Sequence, residues 1–100
     1  MDNNDEIVDF IRQNKSYLKE HFHITKIGVF GSFARNEHTK DSDIDIIIEL
    51  EEETQNIFEL KNELRAFFIN KFGRSVDIAR EKYLKPYVKN QIIAETVYVD

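Results

Sequence analysis

The sequence predicts an α/β fold of the α+β type: a three-stranded mixed sheet flanked by helices, in the order helix, strand, short helix, strand, helix, strand, helix. Three observations carry this reading. Apolar residues recur at helical spacing in two long stretches, from Ile7 to Phe22 and from Ile57 to Phe72. Between and after them lie runs of strand composition, ITKIGVF, DIDIIIEL and SVDIA, bounded by turn-forming residues. A chain of 100 residues without repeat, linker or low-complexity tract suits a single domain, residues 1–100.

Each element has its own signal. Ile7, Phe10, Ile11, Tyr17, Leu18 and Phe22 mark a first helix from about Asp5 to His21, with Asn3 and Glu6 placed to cap its start. Ile24 to Phe30 is the first strand, closed by Gly31-Ser32. SFARN suits one helical turn, and Glu37 to Ser42 a polar loop. Asp43 to Leu50 is the second strand, apolar enough for burial on both faces beyond its aspartates. Ile57, Leu60, Leu64, Phe67, Phe68 and Phe72 then build the second long helix, with Gly73 as the residue that ends it. Phe58 is read with Phe67, Phe68 and Phe72 as core, with part of the set also suited to face a partner. Ser75 to Ala79 is the third strand, and Tyr83 to about Thr96 the last helix, with Pro86 in its first turn. The crossover from Asp43 through Ala79 makes the second and third strands parallel. The first two, joined by only a short helix and loop, run antiparallel.

Composition narrows the function. A net charge of −5 opposes broad contact with a phosphate backbone, so no direct nucleic-acid binding is expected. The chain has no cysteine, which excludes disulfides and thiolate metal sites. No apolar run approaches the roughly 20 residues of a membrane span. MDNNDEIVDF is acidic and lacks the pattern of a signal peptide, so the expected location is cytoplasmic.

The segment GSFARNEHTKDSDID, Gly31 to Asp45, concentrates the chemistry. Gly31 permits tight backbone geometry, and Ser32 with neighbouring N–H groups at a helix start can bind phosphate. Alone, the pair reads equally as an ordinary N-cap. Asp43 and Asp45 are alternate strand residues, so their carboxylates share a face, with Cα atoms about 6.6–7 Å apart. Such hard oxygen ligands suit Mg²⁺ or Mn²⁺, with substrate phosphates completing the shell. Alone, they read as a polar turn entering a strand. With the first two strands antiparallel, however, Ser32 and both aspartates meet at one sheet edge. The parallel third strand brings Asp77 to the same edge. Asp77 reads either as a third metal ligand or as an exposed edge-strand residue. Three such carboxylates can hold two metal ions about 3.5–4 Å apart and direct in-line attack at phosphorus. Asp77 would then lie close enough to serve as general base.

These residues resemble the nucleotidyltransferase superfamily that includes DNA polymerase beta, and most of all its minimal, stand-alone members. The family pattern of Gly-Ser, a ten-residue gap and Asp-x-Asp is met by Gly31-Ser32, Phe33 to Ser42, and Asp43 with Asp45. The third family carboxylate falls on Asp77. The resemblance covers nearly the whole chain and implies the nucleotidyltransferase fold. It implies Mg²⁺, ATP as substrate, phosphate held by Gly31 and Ser32, and metal bound by Asp43, Asp45 and Asp77. For Arg35 two readings stand: a phosphate contact, or a surface pair with Glu37. Minimal members are often antitoxins partnered by a helical HEPN-type RNase toxin, to whose tyrosine they transfer AMP. Such pairing implies a hetero-oligomer, with self-association also compatible. Absence of an appended domain disfavours polymerase and tRNA-terminal transferase activity. Two other functions fit the same fold: a non-catalytic binding antitoxin, and a transferase acting on a small-molecule hydroxyl.

His21, His23 and His38 read as surface histidines, and Glu51 to Glu53 as a solvated charge run. Tyr83, Tyr87 and Tyr98 suit either an interface or ordinary packing.

Overall fold

The computed structural model describes residues 3–100, so the first two residues of the acidic N-terminal stretch lie outside the described residues. Its four-stranded sheet has the order β3-β2-β1-β4. Strand β1 (Ile24–Phe30) runs antiparallel to β2 (Ile44–Leu50), which runs parallel to β3 (Val76–Arg80). Both expected strand relations hold. The expectation of three strands does not, because Val97–Tyr98 forms β4 antiparallel to β1. Two residues carry no periodic signal, and this strand is visible only through its pairing with Gly28 and Val29.

The N-terminal helical region also departs from the expectation. It is two helices, α1 (Asn4–Gln13) and α2 (Lys15–Phe22), and not one. Asn14 separates them: its side-chain amide donates to the Phe10 carbonyl at 2.8 Å. Its backbone N–H still donates to the same carbonyl at 3.1 Å, so the break lies in the backbone of Asn14, at φ −108° and ψ 15°, and not in the hydrogen-bond ladder. The expected cap is present, with Asn3 Oδ1 accepting from the Glu6 N–H at 2.9 Å. His23, in the left-handed region at φ 59°, ends α2.

The turn Gly31–Ala34 forms the short α3, and Ile57–Phe72 forms α4. Gly73 ends α4 at φ 66°, donating its N–H to the Ile69 carbonyl at 2.7 Å. The last helix, α5, is Pro86–Glu95, shorter than expected. Pro86 takes its first position, where a missing N–H costs nothing. The residues before it, Glu81–Tyr83, form a separate 3₁₀ turn.

The core lies between the sheet and the long helices. Ile44, Ile46 and Ile48 from β2 join Ile7 and Ile11 of α1 and Leu64 and Phe68 of α4, all essentially inaccessible. Ile47, on the opposite face of β2, is also buried, so the strand is covered on both sides. Phe10 meets Phe67, Phe68 and Phe72 at centroid separations of 5.3–5.8 Å, locking α1 to α4. Phe58 does not belong to this core; it is 79% exposed, because its position on α4 turns away from the sheet.

Strand β4 seats against β1 only because residue 28 is glycine. A Cβ at Gly28 would stand 2.7 Å from Thr96 Cγ2 and 2.9 Å from the Val97 carbonyl. Gly28→Ala is therefore expected to lose about 1–3 kcal/mol by overpacking, measured as a lower urea midpoint. The Val99 amide, which donates to the Ile27 carbonyl at 2.9 Å, should exchange faster. An unchanged midpoint with full protection at Val99 would contradict this close approach.

Candidate functional site

Strand directions assemble the site. β1 ends where β2 begins because they are antiparallel, and β3 begins at that same edge because it is parallel to β2. In register, Phe30 of β1 faces Asp45 of β2, which faces Asp77 of β3. Asp43 lies just before the first paired residue of β2, which starts at Ile44 and not at Asp43 as expected. The Ile44 N–H still reaches the Ser75 carbonyl at 2.9 Å, so β2 and β3 are tied from the outset. Asp43, Asp45 and Asp77 are thus brought to one sheet edge. Asp77 is exposed on an outer strand, as its alternative reading has it, while standing beside Asp45.

An open cleft of about 550 Å³ lies in front of this edge. Gly31, Ser32, Arg35, Asp43 and Asp45 line it on the sheet side, and Val88, Gln91, Ile92 and Glu95 of α5 form its other wall. Asp77 adjoins the acidic group without lining this cleft.

Gly31 opens α3 at φ 73°, a conformation that side chains rarely adopt. A Cβ there would collide with Asp45 Oδ2, so glycine is required twice over. Ser32 is the second residue of the helix and not its N-cap, which is Phe30. The ordinary capping role is therefore removed, and Ser32 lies half-buried on the cleft wall.

One expectation about this turn needs correction. The Gly31 N–H is not open to solvent; it donates to Glu95 Oε2 at 2.7 Å. Arg35 Nη1 donates to the same oxygen at 2.9 Å, and Arg35 Nε donates to Glu37 Oε1 at 3.0 Å. The Glu37 pair expected for Arg35 is present, yet Arg35 also lines the cleft. Sequence reasoning missed Glu95, because it sits 64 residues from Gly31 at the end of an amphipathic helix. Its only sequence signal is a carboxylate in the last turn of a helix, where the dipole disfavours it.

The loop leading to Asp43 is held from below. Arg74 Nη1 donates to the Ser42 carbonyl at 2.8 Å and the Thr39 carbonyl at 3.2 Å, with its guanidinium 5.0 Å above the Phe33 ring. Ser42 Oγ accepts from the Thr39 N–H at 2.8 Å, so the polar turn around Asp41 and Ser42 is real as well. His38 stacks on Phe33 at 4.1 Å and is half-buried, which corrects its reading as a surface histidine.

Electrostatics set Asp45 apart. Burial, then the charges of Asp77 and Asp43, push its carboxyl up from 3.8 to about 6, with Arg35 opposing. Carboxylates that repel one another across a strand edge are the donor set a divalent cation relieves. Among the described residues, no group of three or more His, Cys, Asp or Glu side chains is placed to hold a metal ion by itself. Asp43 and Asp45 are the cleft-side donors that an ion such as Mg²⁺, which takes one or two carboxylates and completes its shell with water and substrate oxygens, could use.

The sign of the Asp45 shift gives a stability prediction. A raised folded value means the proton is held more tightly in the folded state. Stability is full below pH 3.8 and lost as pH rises through about 6. In ion-free solution at pH 7.5, Asp45→Asn should gain about 1 kcal/mol after allowance for solvent screening, or a Tm rise of about 4–8 °C. The gain should vanish near pH 4 in thermal melts. A variant no more stable than wild type at pH 7.5 would contradict the repulsion.

Known proteins share this arrangement of elements. Residues 11–99 match the nucleotidyltransferase domain family. The protein adenylyltransferase MntA of Thermococcus cleftensis is 35% identical over 97 residues, covering 95% of this chain and 94% of that protein. A solved structure described as a candidate minimal nucleotidyltransferase superposes with TM-score 0.74 at 28% identity, covering 92% of both chains. The complex of a tri-AMPylated Shewanella oneidensis HEPN toxin with MNT antitoxin contains a chain of the same fold, with TM-score 0.60 at 17% identity. That likeness covers 91% of this chain and 70% of the other. By sequence and fold together, the chain belongs to the nucleotidyltransferase domain family and is a nucleotidyltransferase enzyme.

Proposed function

We propose that this enzyme is the antitoxin of a toxin–antitoxin pair, transferring AMP from ATP to a tyrosine hydroxyl of a HEPN-type toxin and binding that toxin. The observation that carries the proposal is the cleft itself. An acidic edge of Asp43, Asp45 and Asp77 lies next to the turn holding Ser32 and Arg35, and the space before them is open. The names of the adenylyltransferase relative and of the toxin–antitoxin complex sharing the fold support the choice of AMP, acceptor and partner.

In this reading Asp43 and Asp45 hold Mg²⁺, with Asp77 beside them. When bound there, the ion screens the triphosphate charge and lowers the pKa of the attacking hydroxyl. The protein's own groups do the rest. The Ser32 hydroxyl and the Arg35 guanidinium donate hydrogen bonds to phosphate oxygens. Asp77, exposed at the outer strand, accepts the proton of the tyrosine hydroxyl as its oxygen bonds to the α-phosphorus. The bond from that phosphorus to the bridging oxygen breaks, and pyrophosphate leaves. The cleft is too open to enclose a small acceptor, which favours one presented by a second protein.

The test is transfer of AMP from ATP labelled at its α-phosphate, with Mg²⁺, to a HEPN-type toxin co-expressed with this protein. Label should appear on a tyrosine of that partner. Asp43→Ala and Asp45→Ala should each lower the rate by at least about 100-fold, several kcal/mol of lost metal-assisted stabilisation, while the circular dichroism spectrum stays native. Full transfer by the double variant would contradict the site. Neutralisation of the toxin without any label would point to a binding antitoxin, and label on a small hydroxylated compound alone to a small-molecule transferase.

A further inference from the structure

We infer that Glu95 is a positioning residue of the phosphate side of the cleft, its carboxylate holding the Gly31 backbone and the Arg35 guanidinium where a triphosphate needs them. This rests on the nucleotide reading above and adds a residue to it from the far end of the chain. A single oxygen, Glu95 Oε2, accepts from both the Gly31 N–H at 2.7 Å and Arg35 Nη1 at 2.9 Å. The Glu95 side chain is only 16% exposed, whereas Glu37, the other partner of Arg35, is 66% exposed. An exposed pair contributes little, and a shielded charge-assisted one holds its geometry. Glu95 is therefore the more shielded of the two carboxylates that hold the guanidinium.

The orientation of Arg35 matters because it is the only Lys or Arg among the described residues lining the cleft. Its Nε and Nη1 are engaged by carboxylates, and neither bond uses Nη2. A planar guanidinium held at Nε by one carboxylate and at Nη1 by another presents its remaining donors in a fixed direction. At the same time, Glu95 satisfies the Gly31 N–H at the start of α3, a donor that a helix beginning leaves without a partner. The turn is thereby pinned at its strained residue.

The carboxylate is held there against opposing forces. It ends a helix, where the dipole repels an anion. It also adds negative charge to a cleft already lined by Asp43 and Asp45. An uncharged side chain could have closed α5 over the turn without those costs. An anion grips the guanidinium more strongly than a neutral acceptor does, because the hydrogen bond is charge-assisted.

ATP binding in the presence of Mg²⁺, measured by calorimetry on the full chain, tests this. Glu95→Ala should weaken binding at least about tenfold, the equivalent of one charge-assisted hydrogen bond. Glu95→Gln, whose amide oxygen can still accept, should fall between Ala and wild type. In a cycle with Arg35→Ala, the second substitution should add less than about threefold, because both remove one unit. The Gly31 amide resonance should shift and exchange faster in Glu95→Ala, with partial recovery in Glu95→Gln. Tighter ATP binding by either Glu95 variant would overturn the inference, showing a carboxylate that competes with phosphate. Additive losses in the cycle would overturn it too, showing general damage. A wild-type protein that binds no ATP overturns the nucleotide reading itself; failure of the brace alone leaves wild-type binding intact.

Discussion

The structure turns on the placement of like charges side by side at one sheet edge. Register fixes it: Asp45 on β2 has Asp77 directly across on β3, and Asp43 two residues earlier on the same face. The fold cannot relax this repulsion by sliding β2. A one-residue slip would turn Ile44, Ile46 and Ile48 out of the core and the aspartates into it. Burial of those isoleucines, each worth roughly 1.5–3 kcal/mol, therefore holds the carboxylates together. The acidic edge is stressed by the strands that make the core. Stability and chemistry here pull on the same residues in opposite directions.

The surroundings are adapted to that edge. Gly31 lacks a side chain because Asp45 occupies the space. Arg74 ties down the loop before Asp43 through two backbone carbonyls. Among the described residues lining the cleft, Arg35 offers the one positive charge, and it is itself held by Glu95. Helix α5 has no fully buried residue, so its carboxylate contact with the phosphate turn is a main point of attachment on that side.

Much of this was legible in the sequence, for identifiable reasons. The long apolar stripes and the strand runs are periodic, and periodicity survives without tertiary information. Gly31-Ser32 and Asp43-x-Asp45 lie within one loop of each other, and strand direction was enough to bring Asp77 beside them. What escaped was non-local or too short. Asn14 breaks the first helix through one non-helical backbone conformation that leaves the apolar spacing intact. β4 is two residues long and exists through Gly28. Phe58 has the composition of core and the direction of solvent. Glu95 reaches Gly31 and Arg35 across 60 or more positions, a contact no local pattern encodes.

The central claim is that the carboxylates at this edge share a strained charge. The most direct measurement is the titration of the Asp45 side-chain carbon by NMR in ion-free protein, for wild type and Asp77→Asn. The account requires a wild-type midpoint of about 6, falling part of the way back when the Asp77 charge is removed, because burial remains. An Asp45 that titrates at 3.8 in both proteins would contradict it.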